Sequence, residues 1–380
     1  VLPFAPAGVD HNPNQHSEDE VLTALRGRHG TRRFSFRYDV LTYGLVKLAD
    51  WTSVISASVE QNWLADIKRK ARFTVRDTGD VNYLDSLIKP WARLHLPPYG
   101  DDDWVEWSQG VFVPSTPQRH ADPAGLVTRD VDGFDLLQVL VDDCVSTRYS
   151  VSASTAYTSA VATVLASAGL AGNIHASTSV LPVAMEWDPG TPKLRVINDL
   201  LSAINYQSLS FDEDGRAVVA EYVSPAARAE GYTYADDTDG LIIPEVDQEL
   251  DLFSVANQWT LVVSEPDRDA IYASYSNTDP SSPTSIPRRG RTITDFRTEQ
   301  QAVDIVALYA KVARLAFEAS QIYEAIDIQT ALMPVHSGND VLRLRYGPLG
   351  IDDKYSEQSW SMGLRAGAPM KHRVRRVVSV

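Results

Sequence analysis

Residues 66–78 read DIKRKARFTVRDT, and the alternation within them decides the fold. Ala71, Phe73 and Val75 fall on one face of an extended chain while Arg72, Thr74 and Arg76 fall on the other, the period-two pattern of a strand with one buried side. The pattern spreads outward. Upstream, SVISASVEQNW (53–63) sets Val54, Ser56, Ser58 and Glu60 against Ile55, Ala57 and Val59, and RFSFRYDVLT (33–42) alternates in the same way. Downstream, Gly79-Asp80 makes a turn. Leu94-His95-Leu96, Val105-Glu106-Trp107 and Gly110-Val111-Phe112-Val113 follow as short strands, separated by Pro97-Pro98-Tyr99-Gly100 and Asp101-Asp102-Asp103. Several strands punctuated by turn residues predict a β-sandwich or barrel.

The flanking regions differ. Residues 1–30 carry Pro3, Pro6 and Pro13, a polar run from His11 to Glu20, and Gly27, His29 and Gly30, which leaves little to bury. A short helix from Glu18 to Arg26, with Ser17 as N-cap and Glu20 at capping-box spacing, and an extended or partner-ordered arm are both compatible with this stretch. From Phe134 the chain turns helical: Phe134–Asp143, then Ser154–Ala168 with Val161, Val164, Leu165 and Ala168 on one face and Gly169 as its stop, then Leu194–Ile204. The segment 206–223 is a hairpin turning at Asp214-Gly215. Between Ala229 and Ala256 stand eight acids and no base, a solvated charge block. Strands resume at Gln258–Ser264 and Ala270–Ser276, and Asp279–Arg291 is a Pro- and Ser-rich loop. A helix is predicted over Thr298–Ala319 on Val303, Val306, Ala310, Ala313 and Phe317. Strands at 322–333 and 340–347, WSMGLRAG (360–367) and the basic run KHRVRRVVSV (371–380) close the chain.

Composition excludes several function classes. The 380 residues imply two to three domains, and 35 Lys and Arg against 50 Asp and Glu leave a net charge of −15, the wrong sign for gripping nucleic acid. A single cysteine, Cys144, rules out an intrachain disulfide framework; its default state is a buried small apolar residue. No run approaches the roughly 20 apolar residues of a membrane helix, and the first twenty residues lack the basic-then-apolar order of a signal peptide. The expectation is a soluble protein of a reducing compartment.

No catalytic or cofactor motif emerges. His11, His16, His29, His95, His120, His175, His336 and His372 form no HxH or HExxH pair. SFDEDG (210–215) lacks the bidentate Glu of a calcium loop, so a hairpin turn is the better reading. Asp101-Asp102-Asp103 reads as a solvated turn before a cation site. There is no GxGxxG, GxxxxGK[ST] or GxSxG, and Cys144 has no base near it in sequence. A dyad of dispersed carboxylates stays open, as such partners lie far apart along a chain. No enzyme activity, cofactor or metal is expected.

A succession of blocks carries a resemblance: Trp51 to Arg76, DVNYLDSLIKPWAR (80–93), DWVEWSQGVF (103–112), GVFVPSTPQRH (110–120), Asp135-Leu136-Leu137, PKLRVINDLLSAINYQSLSFDEDGRAV (192–218), YSNTDPSSPTS (275–285) and WSMGLRAGAPMKHRVRRVV (360–378). Together they resemble the distal tail hub, also called minor tail or baseplate hub protein, of siphophages that infect actinobacteria, over residues 31–380. The resemblance implies an α+β, β-rich fold with two tail-tube-like β-barrel or sandwich domains and an intervening α/β unit. Its segments would be an N-terminal arm (1–30), a first barrel (31–128), an α/β domain (129–228), and a second barrel (229–380) with the long helix and the basic C-terminal strand. It further implies a homotrimer around the tail axis, two barrels per subunit matching a six-fold tube. Such a hub is a virion tail-tip component assembled in the host cytoplasm. Its partners are a distal tail protein or tube above, a spike or fibre below, and the tape measure protein; DNA passes through without specific binding, and there is no stable membrane insertion. The competing reading is a protein that binds the host envelope or degrades peptidoglycan.

Three groups of residues are candidates for this role. Asp236, Asp237, Asp239, Glu245 and Asp247 are offered to a DNA-conducting bore, with an outward solvated loop as the plain alternative. Lys371, His372, Arg373, Arg375 and Arg376, interleaved with Val374, Val377 and Val380, form an outer strand docking an acidic neighbour, or an ordinary edge strand kept soluble by its cations. Trp104 and Trp107 bracket an interface hot spot, or else are core.

Overall fold

The computed structural model describes every residue except 9, 29, 80, 97–99, 101, 117, 238–239, 251–252, 254, 266–267, 300–303, 321–323 and 378–380. His29, Asp80, Pro97 to Tyr99, Asp101, Asp239, Val303 and Val380 therefore lie outside the described residues.

The strand Arg69–Arg76 buries Ala71, Phe73 and Val75 and exposes Lys70, Arg72 and Arg76, as its alternation dictates. A one-residue slip would turn those cations into the core, so the register is strongly specified. It lies between Val54–Asn62 and Val127–Asp135. From there the sheet continues through Phe112–Pro114 and Leu87–His95 to Phe34–Leu41 and Lys47–Asp50. In the other direction Val54–Asn62 pairs with Ile351–Gly363, which pairs with Pro369–Arg376, then Glu324–Ala331, then Ile242–Leu250. Side branches add Trp104–Ser108, Arg119–Ala121, Val341–Tyr346 and, parallel to the last, Tyr232–Ala235.

The result is a β-rich α+β chain built on one large sheet. Of the expected barrel or sandwich domains it corrects the barrels: among the described residues the ladder is open, its main path running from Ile242–Leu250 to Lys47–Asp50. The cause is the pairing of Asn62 with Ser359 through Ser58 with Gly363, which opens each strand-rich half toward the other. A single apolar cluster spans both, joining Val59, Phe73, Trp107 and Val131 to Ile326, Tyr355, Trp360 and Val374.

Residues 137–219 form their own core. The helices Tyr157–Ser167 and Lys193–Ala203 bury Val161, Val164, Leu165, Ile197, Leu200 and Leu201 together. Gly169 (φ +71°) follows the first helix. The hairpin Ser210–Phe211/Ala217–Val219 turns at Gly215 (φ +79°), where an added Cβ would come 3.0 Å from Val111, so conformation and space both favour glycine.

A third, smaller core sits under the three-stranded sheet of Gln258–Glu265, Arg268–Ser276 and Thr294–Glu299, covered by the helix Ile305–Ser320. That helix starts later than its periodicity predicts. Thr298 and Glu299 are held in the edge strand parallel to Gln258–Glu265, and the Asp304 carboxylate accepts from Ala307 N at the helix start. The buried face runs through Leu308, Val312 and Ala316, leaving Val306 and Ala310 exposed.

Two parts of the N-terminal segment pack onto the core, Val1 to Ala5 and the helix that follows Ser17. Glu18–Leu25 is a helix with the full Ser17/Glu20 capping box, and Val21 and Leu25 are completely buried. His16 Nε2 lies 2.8 Å from the buried Asp103 carboxylate, which gives that acid a protein partner in place of the solvated turn its neighbours suggest. Cys144 is exposed, because it lies just beyond the short helix Leu137–Asp142 in a single bridge to Pro192.

Candidate functional site

The basic strand Pro369–Arg376 is central, not an edge. It pairs on one side with Glu324–Ala331 and on the other with Ile351–Gly363. Its cations meet acids of the two flanking strands and of the strand one further out: Arg373 reaches Asp327 (2.9 Å) and, beyond it, Glu249 (3.1 Å), and Arg376 reaches Glu324 (2.9 Å) and Asp353 (2.8 Å). Cross-strand neutralisation therefore replaces the solvation that a basic run in sequence implies. Arg375 points elsewhere, into a pocket of about 250 Å³ shared with Tyr222, Arg297, Arg314 and Glu318. Burial, with repulsion from Arg373, lowers its pKa.

Two of the predicted groups meet. Glu245 and Asp247 line a second, open cleft of about 470 Å³ together with Lys371 and Arg373, alongside Glu60 and Asp327. Asp236 and Asp237 lie apart from it: Asp236 accepts from Gly347 N (2.8 Å) and Asp237 stands 3.9 Å from Arg345. The two tryptophans separate as well. A spacing of three puts strand residues on opposite faces, so Trp107 is buried and donates Nε1–H to Pro3 O (3.1 Å), while half-buried Trp104 lies beneath the guanidinium groups of Arg93 and Arg33.

The feature missed from sequence is a chain of buried polar groups through the seam of the sheet. At its centre the Glu357 carboxylate accepts from two imidazoles, His336 Nδ1 on Oε2 (2.8 Å) and His372 Nδ1 on Oε1 (2.5 Å). Each ring's other nitrogen meets a hydroxyl, Tyr234 for His336 (2.7 Å) and Thr330 for His372 (2.9 Å). Asp340 Oδ2 lies 3.3 Å from His336 Nδ1, accepts from Ser337 N (2.9 Å), and its Oδ1 takes the nitrogen of Val1 (2.6 Å). Ser337 Oγ donates to Glu213 (2.7 Å), which binds Arg69 Nη2 (2.6 Å), and Arg69 in turn donates Nε–H to Gln61 and its backbone N–H to Asp135. Strands from both halves and the 210–217 hairpin are thus joined by one network.

Its electrostatics follow from burial set against pairing. Burial alone would lower the His336 pKa, but the Glu357 charge and hydrogen bonds to Asp340 and Glu357 raise it to about 9, so His336 is a cation at neutral pH. Burial would raise Asp340, yet the hydrogen bond from His336 and nearby positive charge hold it at about 2. Glu357 is likewise held below its ordinary value by the two histidines against its burial. For His372 burial wins over the Glu357 pairing, and its pKa falls. Asp135 is raised to about 6, because burial outweighs the backbone hydrogen bonds from Arg69 and Leu137.

Among the described residues, His336, Glu357 and His372 are the group whose donor atoms converge closely enough to hold a metal ion. A motif search cannot find them, since the three residues come from a loop and two strands and are 15 to 36 positions apart.

No protein-family description matches the sequence, and no curated protein matches it. The fold, by contrast, is shared with solved tail proteins. A tail protein from Neisseria meningitidis is similar over 90% of this chain and 97% of its own at a TM-score of 0.62 and 13% identity. A 43 kDa tail protein of prophage MuSo2 from Shewanella oneidensis is similar over 90% and 98%, at 0.63 and 10% identity. The prophage tail protein gp18 from Listeria monocytogenes is similar over 90% and 95%, at 0.56 and 13% identity.

Proposed function

We propose that this chain is a structural hub of a phage-type tail tip, working by geometry and not by catalysis. The observation that carries the reading is the end-to-end fold match: 90% of this chain corresponds to 95% or more of each of three tail proteins. In this reading the chain is a virion protein that forms a homotrimer continuing the tail tube. The strand-rich segments 31–128 and 229–380 act as the two tube-like elements of each subunit, and 129–228 as the intervening α/β unit. A distal tail protein or tube sits above, a spike or fibre below, and the tape measure protein and then DNA occupy the passage. The chain's place is the tail tip, after assembly in the host cytoplasm, and an actinobacterial siphophage is the source implied by the sequence blocks.

In this reading the acids Glu245 and Asp247, exposed on Ile242–Leu250 at one end of the sheet, face the bore together with Asp236 and Asp237 of the preceding segment. A duplex with about one negative charge per 1.7 Å slides past an acidic wall, whereas a basic one would hold it by counterion release. Trp104, Lys371, Arg373, Arg375 and Arg376 are the interface candidates, with Trp107 supporting Trp104 from the core side of the same strand.

Native mass spectrometry of the purified chain together with zymography on host cell wall tests this reading. A trimer without clearing is the expected result. Clearing by the purified protein, or a monomer in the tip when the assembled particle is imaged by cryo-electron microscopy, overturns it.

A further inference from the structure

We propose that His336, Glu357 and His372 form a structural binding site for a divalent transition-metal ion of the zinc class. The argument is geometric. Both imidazoles turn the same nitrogen, Nδ1, toward one carboxylate, and all three donor atoms lie within 4.8 Å of one another. Asp340 Oδ2, 3.3 Å from His336 Nδ1, stands beside this set and outside it. Tetrahedral zinc with bonds of about 2.0–2.2 Å sets its ligand atoms about 3.3 Å apart. The two His–Glu contacts of 2.8 and 2.5 Å would thus open by under about 1 Å.

What surrounds the donors fits the same purpose. A ligating imidazole is oriented by a hydrogen bond from its other nitrogen. Here His336 Nε2 faces the Tyr234 hydroxyl and His372 Nε2 faces the Thr330 hydroxyl, so when the ion displaces the Nδ1 protons now shared with Glu357, each ring can keep its remaining proton on Nε2 and present a lone pair from Nδ1. Ser337 N fixes the Asp340 carboxylate. The nitrogen and oxygen donors suit zinc over calcium, which takes oxygens only. All three donors are buried away from solvent, so the ion would pin structure without meeting a substrate. The pinned pieces are the 334–340 loop and the strands Ile351–Gly363 and Pro369–Arg376, which hold the seam against Val54–Asn62.

The test is competition for Zn²⁺ between the tag-free full chain and a chromophoric chelator of micromolar affinity. One equivalent withheld from the chelator is expected, with affinity at least 100-fold weaker in the folded double variant His336→Gln/His372→Gln. Release of all zinc by the wild-type chain, or equal retention by the folded variant, overturns the proposal. Should the variant not fold, Co²⁺ added to the wild-type chain decides. Intense visible bands of a tetrahedral ion and two hyperfine-shifted, exchangeable imidazole N–H signals support the site; a spectrum identical to aqueous Co²⁺ overturns it.

Discussion

The seam of the large sheet and the small three-stranded unit at 258–320 use the same materials, strands with helices or loops across one face, and reach opposite solutions. At the seam each strand is paired on both sides, and the ionisable groups beneath it are fully buried and matched to one another. In the small unit seven of the described residues are buried as its core, while Tyr272 and Phe296 stand 70% and 62% exposed on the outer sheet face. A buried network that is satisfied at every member specifies one register and is costly to disturb. A small apolar core specifies less and opens at lower free energy. The seam should therefore behave as the global folding unit and the 258–320 region as a local one.

The sharpest way to break that contrast is Glu357→Ala. It strips both imidazoles of their shared acceptor and leaves the His336 cation facing Asp340 alone. Loss of one partner in a buried charged set costs about 3–5 kcal/mol. Urea unfolding should show the whole transition moving to lower midpoint with an unchanged slope; a shift under about 1 kcal/mol would mean the network contributes little.

Leu308→Ala tests the other side. Leu308 is completely buried between the helix and the three strands, and truncation there costs about 3 kcal/mol. The loss should stay local. Amide exchange should accelerate in 258–276 and 305–320 while 54–76 and 351–376 keep their protection, and uniform acceleration across all four segments would show that the small unit is not separate.

A third measurement concerns the end of the polar chain. The Asp135 carboxyl, raised to about 6 by burial despite its hydrogen bonds from Arg69 and Leu137, binds a proton in the folded state that the unfolded chain releases near pH 4. Its contribution is fully present below about pH 4 and is lost as the pH rises through 6. The margin of wild type over Asp135→Ala should thus be larger by about 2 kcal/mol at pH 4.5 than at pH 7.5. A margin that grows with pH instead would place the carboxylate, not the acid, in the native network.

These contrasts also explain what could be read in advance. Alternation located the strands from Arg33 to Arg76, the capping box located the helix after Ser17, and Gly215 located its turn, because each signal is carried by neighbours in sequence. Pairing of Val59 with Met362 leaves no such local trace, so two separate barrel or sandwich domains are the natural expectation and one shared open sheet the outcome. The same blindness placed Lys371 to Arg376 at an edge. A basic run reads as solvated until Asp327, Glu249, Glu324 and Asp353 are seen across the ladder. His336, Glu357 and His372 were individually visible and collectively invisible. Between Thr298 and Ala319, helical and strand-forming patterns overlap, and parallel pairing with Gln258–Glu265 took the first two residues.

The smallest expected effect is the most discriminating for the small unit. Tyr272 and Phe296 share the outer face with Thr260, Val262 and Ser274, since Tyr272 lies opposite Val262 and both Ser274 and Phe296 lie opposite Thr260. Trp259, Leu261 and Val263 point the other way, into the core under the helix. Replacing both exposed aromatic residues by serine removes no buried contact, so the unfolding free energy of the isolated chain should stay within about 0.5 kcal/mol of wild type. A loss above about 1 kcal/mol would show that this face is packed in the free protein, and the distinction between a two-sided seam and a one-sided small sheet would then fail at the point where it is most exposed.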